Sequence, residues 1–165
     1  MYIESERLII RNFDPDDIDL IFEINNHPEC IEFNGWNSMS IENCKDVLDK
    51  WITGYNKHSS YGVFCVETKL GQSIGMAFIM KYDELNDYEI GFRLKRNVWG
   101  QGYATEITKL FIEYSKKNLT INSLCAEVDS RNYKSLNVFR KLGFHEYPHP
   151  SGEGGKLFKY NMESC

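Results

Sequence analysis

The spacing of apolar residues along this chain changes period several times, and each change marks an element. Residues 61–68 (YGVFCVET), 73–82 (SIGMAFIMKY) and 88–94 (YEIGFRL) are rich in aromatic and branched side chains, with turn-like segments between them. They read as three successive strands, and residues 67–72 (ETKLGQ) as a plain hairpin turn. Residues 7–13 (RLIIRNF), 124–129 (LCAEVD) and 156–162 (KLFKYNM) carry the same strand signal.

Elsewhere the period is helical. Ile18, Ile21 and Phe22 follow Asp14-Pro15-Asp16-Asp17, where Asp14 can cap, Pro15 suits the first helical position and the acids favour the positive end of the dipole. Ser40 caps a second set made of Ile41, Cys44, Leu48, Trp51 and Ile52. A strong helix opening at Gly102 turns Ile107, Leu110, Phe111 and Tyr114 to one side. Leu136, Phe139 and Leu142 mark a short helix, which Gly143 ends in a left-handed cap with Phe144 packing back.

Strand, helix, helix, three strands, helix, strand, helix, strand is the order of an α/β domain with a mixed sheet and helices on both faces. Two helix crossovers are expected after the meander. The one joining the fourth and fifth strands should be right-handed. At 165 residues the chain is one domain, residues 1–165, with no repeat and no Pro/Gly/Ser linker.

Composition narrows the function. Hydrophobic residues make up 42% and aromatics 14%, enough for a packed core. No apolar run approaches the ~18 residues of a bilayer span, and MYIESERLII has two glutamates before its first apolar run, unlike a signal peptide. No membrane partner is expected. A net charge of −5 argues against nucleic acid and agrees better with a basic substrate. Cys30, Cys44, Cys65, Cys125 and Cys165 are scattered, without a CxxC pair, as in a cytoplasmic protein with reduced, mostly buried thiols. His145 and His149 are four apart, but Pro148 and Pro150 argue against a helical metal pair, so no metal is expected.

The chemistry concentrates between the strand ending at Leu94 and the helix opening at Gly102. Gly100 and Gly102 let the backbone approach a ligand closely. The first amides of the helix lack internal partners and form an anion cradle suited to a phosphate or pyrophosphate. Lys95 and Arg96 would add charge at its rim. The same glycines also fit a simple tight turn.

Trp99-Gly100-Gln101-Gly102-Tyr103-Ala104 resembles the [Q/R]-x-x-G-x-[G/A] pyrophosphate signature of the GNAT N-acetyltransferases, with Trp99 in the Gln/Arg place. WGQGYATE, the opening SERLIIRNF, and Asn132-Tyr133-Lys134-Ser135 running on to Lys141-Leu142-Gly143-Phe144 resemble the ribosomal-protein-alanine N-acetyltransferase-like branch. The likeness covers nearly the whole chain. It implies the GNAT fold with its mostly antiparallel sheet, acetyl-CoA as co-substrate, and an amine acceptor. It places pantetheine beside the backbone of Phe92 and Leu94, and pyrophosphate on the amides of Trp99, Gly100, Gln101, Gly102, Tyr103, Ala104 and Thr105. Asn132 would bind the pantetheine arm, with Ser135 near the thioester, and Trp36 would line the acceptor pocket. Where many members have a tyrosine that protonates the leaving thiolate, this chain has Phe139.

An amine attacks a thioester only when neutral, yet an alkyl amine is mostly protonated at pH 7. Glu89 is the candidate base and acceptor-binding group. Alternation puts it with Gly91 and Arg93 on one strand face, against Ile90, Phe92 and Leu94 on the other. It reads equally as a solvated glutamate paired with Arg93. Ser135 is the candidate donor to the leaving sulfur, or a first-turn serine bonding its own backbone. Asn132 fits an N-cap as well as a ligand, and Trp36 a core cover. Asp87 and Asp129 are weaker bases and read better as turn or strand-end residues. The expected activity is direct acetyl transfer to a protein N-terminus or a small-molecule amine, by a monomer or homodimer. A non-catalytic acyl-CoA-binding module and a nucleotide-binding protein are the rivals.

Overall fold

A computed structural model describes residues 1–33, 37–55, 60–85, 87–149 and 155–162. Among these, one eight-stranded sheet runs in the order β1-β2-β3-β4-β5-β6-β8-β7. Its strands are β1 (Tyr2–Glu4), β2 (Leu8–Arg11), β3 (Gly62–Thr68), β4 (Ser73–Tyr82), β5 (Asp87–Leu94), β6 (Ser123–Val128), β7 (His145–Tyr147) and β8 (Lys156–Asn161). The helices are α1 (Ile18–Asn26), α2 (Pro28–Ile31), α3 (Ile41–Gly54), α4 (Tyr103–Asn118) and α5 (Tyr133–Lys141). Every neighbouring pair is antiparallel except β5 and β6.

The caps fall where the side chains allow. Asp14 accepts from Asp16 N (2.9 Å) and opens a 3₁₀ turn that leads into α1. Ser40 accepts from Asn43 N (3.2 Å) ahead of α3. Gly143 has φ +86°, and Phe144 N bonds back to Phe139 O (3.1 Å), closing α5 as expected.

Each sheet face has its own core. Phe13, Leu20, Ile21, Ile24, Cys44 and Leu48 from the α1–α3 side pack against Cys65 and Met76. Ile107, Leu110, Phe111, Leu136 and Phe139 of α4 and α5 pack with Phe64, Ile79, Ile90, Ala126 and Phe158 on the other face. Cys30, Cys44, Cys65 and Cys125 are buried, reduced thiols; Cys165 lies outside the described residues.

One topological expectation needs correction. The connection through α4 joins parallel strands, but the one through α5 does not. After α5 the chain forms β7 and doubles back, so β8 enters antiparallel between β6 and β7. The pattern hid this because β7 has three exposed residues and no apolar alternation. The short β1 and α2 went unread for the same reason.

β1 and β2 hold the start of α4. Glu106, in the first turn of α4, accepts from Ser5 Oγ (2.5 Å), Arg7 N (3.2 Å) and Arg7 Nε (2.8 Å). Arg7 Nη1 donates to Gln101 O (3.0 Å), and its guanidinium lies over Tyr103. The SERL and WGQGYATE segments are thus one joint. Glu106→Ala removes three bonds to a charged acceptor. We expect a loss of about 1.5–3 kcal/mol, read as a lower midpoint in urea denaturation at an unchanged slope.

Candidate active site

The parallel pairing of β5 with β6 is brief. The register holds at Tyr88↔Leu124 and Glu89↔Cys125, while β5 continues to Leu94 along β4. Lys95 N donates to Ile74 O across the β4 side. Backbone groups alternate along an antiparallel edge, so those of Ile90, Phe92 and Leu94 turn to the open side. Leu94 O accepts there from Trp99 Nε1 (2.9 Å).

Two cavities occupy the opening. One, about 700 Å³, is lined by Leu94, Trp99, Gly100, Gly102, Tyr103, Ala104 and Thr105 and by the start of α5. The other, about 760 Å³, is lined by Phe78, Glu89, Gly91, Glu127 and Phe139. They meet at Phe33, Phe92, Arg93, Arg131, Asn132 and Ser135. Gly91 makes room for Phe78, whose ring a Cβ there would meet at 2.4 Å.

The first cavity ends on α4. Gly102 caps this helix at φ +85° with no side-chain bond to its first amides, and a Cβ at Gly102 would find only Arg7 within 4 Å. The amides of this turn are free to receive an anion. Arg96 lies over Trp99 (4.9 Å), as does Lys134 (4.9 Å). Both rim cations expected from sequence carry acidic partners: the Lys95 ammonium pairs with Glu23 of α1 (2.7 Å) and Arg96 Nε donates to Glu29 (2.7 Å). Gln101 is absent from the lining; its side chain donates to Asn97 O (3.3 Å).

In the second cavity, burial raises the Glu89 carboxyl to about 7. A bond from the Glu127 peptide N–H works against that shift, and the Glu127 charge adds to it. Arg93 reaches α1, where Nη1 donates to Asn25 Oδ1 (2.7 Å).

A family model for the acetyltransferase (GNAT) domain matches residues 7–145. The chain belongs to the GNAT acetyltransferase family. The N-acetyltransferase p20 of Bacillus licheniformis is 26% identical over 145 residues, 86% of this chain and 81% of that one. Spermidine N(1)-acetyltransferase of Escherichia coli is 24% identical over 82% of this chain and 71% of its own. In fold, the chain matches RimL, a ribosomal L7/L12 alpha-N-protein acetyltransferase solved with coenzyme A (TM-score 0.81, 13% identity, 99% of each chain). The GNAT chain is an acetyl-CoA-dependent N-acetyltransferase.

Most site residues expected from sequence line this GNAT cleft. Phe92, Leu94, Trp99, Gly100, Gly102, Tyr103, Ala104, Thr105, Asn132 and Ser135 line the first cavity, and Glu89 the second. Trp36 lies outside the described residues. Asn132 caps α5, its Oδ1 accepting from Ser135 N (3.2 Å), while it also lines both cavities. The Ser135 hydroxyl has no bond among the described residues. Phe139 is packed between Phe92 (5.9 Å) and Phe158 (6.4 Å), with Phe144 edge-on (5.1 Å).

Asp129 is held as a strand-end residue by Arg131, whose Nε and Nη2 donate to it (3.0 and 2.7 Å). The Arg131 bonds lower its carboxyl to about 2. Asp87 begins β5 and pairs with Lys159. His149 lies 3.5 Å from Glu127. No group of three metal-ligating side chains occurs among the described residues, and no helix there is long and apolar enough to cross a membrane.

Sequence reasoning missed Glu127, Phe33 and Arg131. Glu127 had a signal, the one charge between apolar neighbours in LCAEV. Phe33 and Arg131 had none: the Arg131 guanidinium lies over the Phe33 ring at 5.7 Å, from segments that only the fold brings together.

A raised carboxyl makes Glu89 a stability group. The folded chain keeps a proton that the unfolded chain releases above ~4.3, so this burial costs stability as pH rises from there to about 7. Glu89→Gln should therefore gain thermal stability over wild type at pH 8 but not at pH 4.5. Melting curves across that range check it.

Proposed function

We propose that acetyl moves from acetyl-CoA to a primary amine by direct attack in a ternary complex, with Glu89 as the base. The observation that carries this reading is a carboxylate, raised to about 7, at the opening between β5 and β6. At that value about half of Glu89 is ionised at neutral pH, and the carboxylate is basic enough to take an ammonium proton. The amine nitrogen then bonds the thioester carbonyl carbon, and the carbon–sulfur bond breaks. The nitrogen's second proton leaves to water, and the thiolate takes one from water, directly or through the Ser135 hydroxyl, which regains its own from water.

The donor fits the first cavity. Free amides at the start of α4, with Lys134 beside Trp99, suit a pyrophosphate. The unpaired edge at Phe92 suits an amide-bearing arm, and the same backbone can stabilise the oxygen that gains charge on attack. The acceptor enters by the second cavity, where Glu127 and Phe78 suit an amine on an apolar stem. A protein N-terminus and a small-molecule amine both meet that description, and a mass-shift screen over peptides and amines separates them.

Glu89→Gln should lower kcat/KM by about 10²–10⁴-fold. Wild-type kcat/KM should fall below about pH 7, where Glu89 takes up its proton. The variant should lose that limb, and its deficit should shrink at high pH, where the amine is already neutral. A pH profile of unchanged shape makes Glu89 structural.

Ser135 lies in the first turn of α5, whose positive end stabilises a nearby thiolate without full proton transfer. Ser135→Ala should therefore slow single-turnover transfer at saturating donor by only about 10–100-fold. A wild-type rate would remove Ser135 from the reaction.

A further inference from the structure

The sheet face that carries Glu89 also holds a buried ion pair that the proposed reaction does not use. Asp87 stands two residues before Glu89 on β5, so both side chains leave the same face, about 7 Å apart along the strand. Asp87 Oδ2 accepts from Ser123 Oγ (2.6 Å) and lies 2.9 Å from Lys159 Nζ. The Asp87 side chain is 7% exposed and that of Lys159 15%.

Lys159 belongs to β8. In register, Cys125 stands beside Glu89, and Lys159 beside Cys125. The ammonium therefore crosses the intervening β6 to reach β5 at Asp87, next to Glu89 on the same face.

We propose that Asp87 is a positioning residue: with Ser123 it holds the Lys159 ammonium and keeps it from pairing with Glu89. This rests on Glu89 being the acceptor's base. An opposite charge within ~4–6 Å lowers a carboxyl by about 1–3 pH units. A base so lowered would remove an ammonium proton poorly. A buried ion pair adds little stability over an apolar one, so its place beside the base is its more informative property.

Among the cations near Glu89, Arg131 lines the same cavity but is held by Asp129, which leaves Lys159 as the cation that matters. On β5, Arg93 is engaged by Asn25 of α1. On β6, Cys125 is pushed up to about 12, chiefly by burial and then by Glu89 and Asp87, with Lys159 opposing. It stays an uncharged thiol at working pH. Glu127, also on β6, adds negative charge, with His149 Nε2 3.5 Å from its Oε1. On β8 and β7, Lys159 itself lies over the Tyr147 ring (4.7 Å).

The test reads Glu89 directly, by NMR titration of carboxyl-labelled glutamate in the full chain, with its signal identified by loss in Glu89→Gln. In Asp87→Asn the midpoint should fall by about 1–3 pH units as Lys159 turns to Glu89. In Lys159→Met it should rise, because two carboxyls then share one dry site. In Asp87→Asn/Lys159→Met it should return near the wild-type value. No fall in Asp87→Asn, or an equal fall in the double variant, overturns the proposal. Should Asp87→Asn fail to fold, Lys159→Met decides: a rise supports the proposal, and a fall or no change overturns it. Turnover is read separately. If the midpoints move as expected while Glu89→Gln keeps wild-type kcat/KM, the base assignment fails and the ion-pair assignment stands.

Discussion

β5 and β6 run parallel for two register pairs and then part. The constraint behind this is local to β5. It stays bonded to β4 along its whole length, from Tyr82↔Asp87 to Gly75↔Leu94, so it cannot follow β6. The other edge of β6 is paired throughout with β8. Two fixed edges leave a wedge whose walls are strand backbone rather than loop. Backbone donors and acceptors facing such a wedge need partners, and a bound chain with its own amides can supply them. The two cavities, the free start of α4 and the capped start of α5 all border this opening.

The same parting sets the electrostatics. Glu89 sits at the last paired position, where the sheet still excludes water but a neighbouring peptide N–H remains within reach. Deeper between the strands, a carboxylate would meet full burial without an opening to a substrate; further out, it would be solvated and weakly basic. Charge that must stay near this point is tied up in pairs, Asp87 with Lys159 and Asp129 with Arg131.

Much of this was legible in the residues. Long strands showed because they alternate or run apolar over their whole length, and β4 was read to its exact residues, Ser73–Tyr82. Pro15, Ser40 and Gly143 fixed helix ends through local chemistry that needs no tertiary context. β1, β7 and α2 are too short to show a period, and the returning β8 was misjudged because its direction depends on β7. Glu89 was visible as a charge on the cleft strand, but its raised carboxyl was not, since that depends on where β6 lies. The fate of Lys95 turned on Glu23, seventy-two positions earlier in sequence and adjacent only in the fold.

The joint between Glu106 and the Ser5–Arg7 turn spans 99 to 101 positions of chain. Contacts so distant in sequence are slow to form, because the loop between them must first be closed. The start of α4, proposed above to take the anion, therefore takes its final shape only once the β3–β5 meander has brought the two segments together. During synthesis the amino-terminal hairpin waits for α4 to emerge before either has its partner. Binding competence in this chain thus depends on contacts assembled across the sheet, from its first strands to its longest helix.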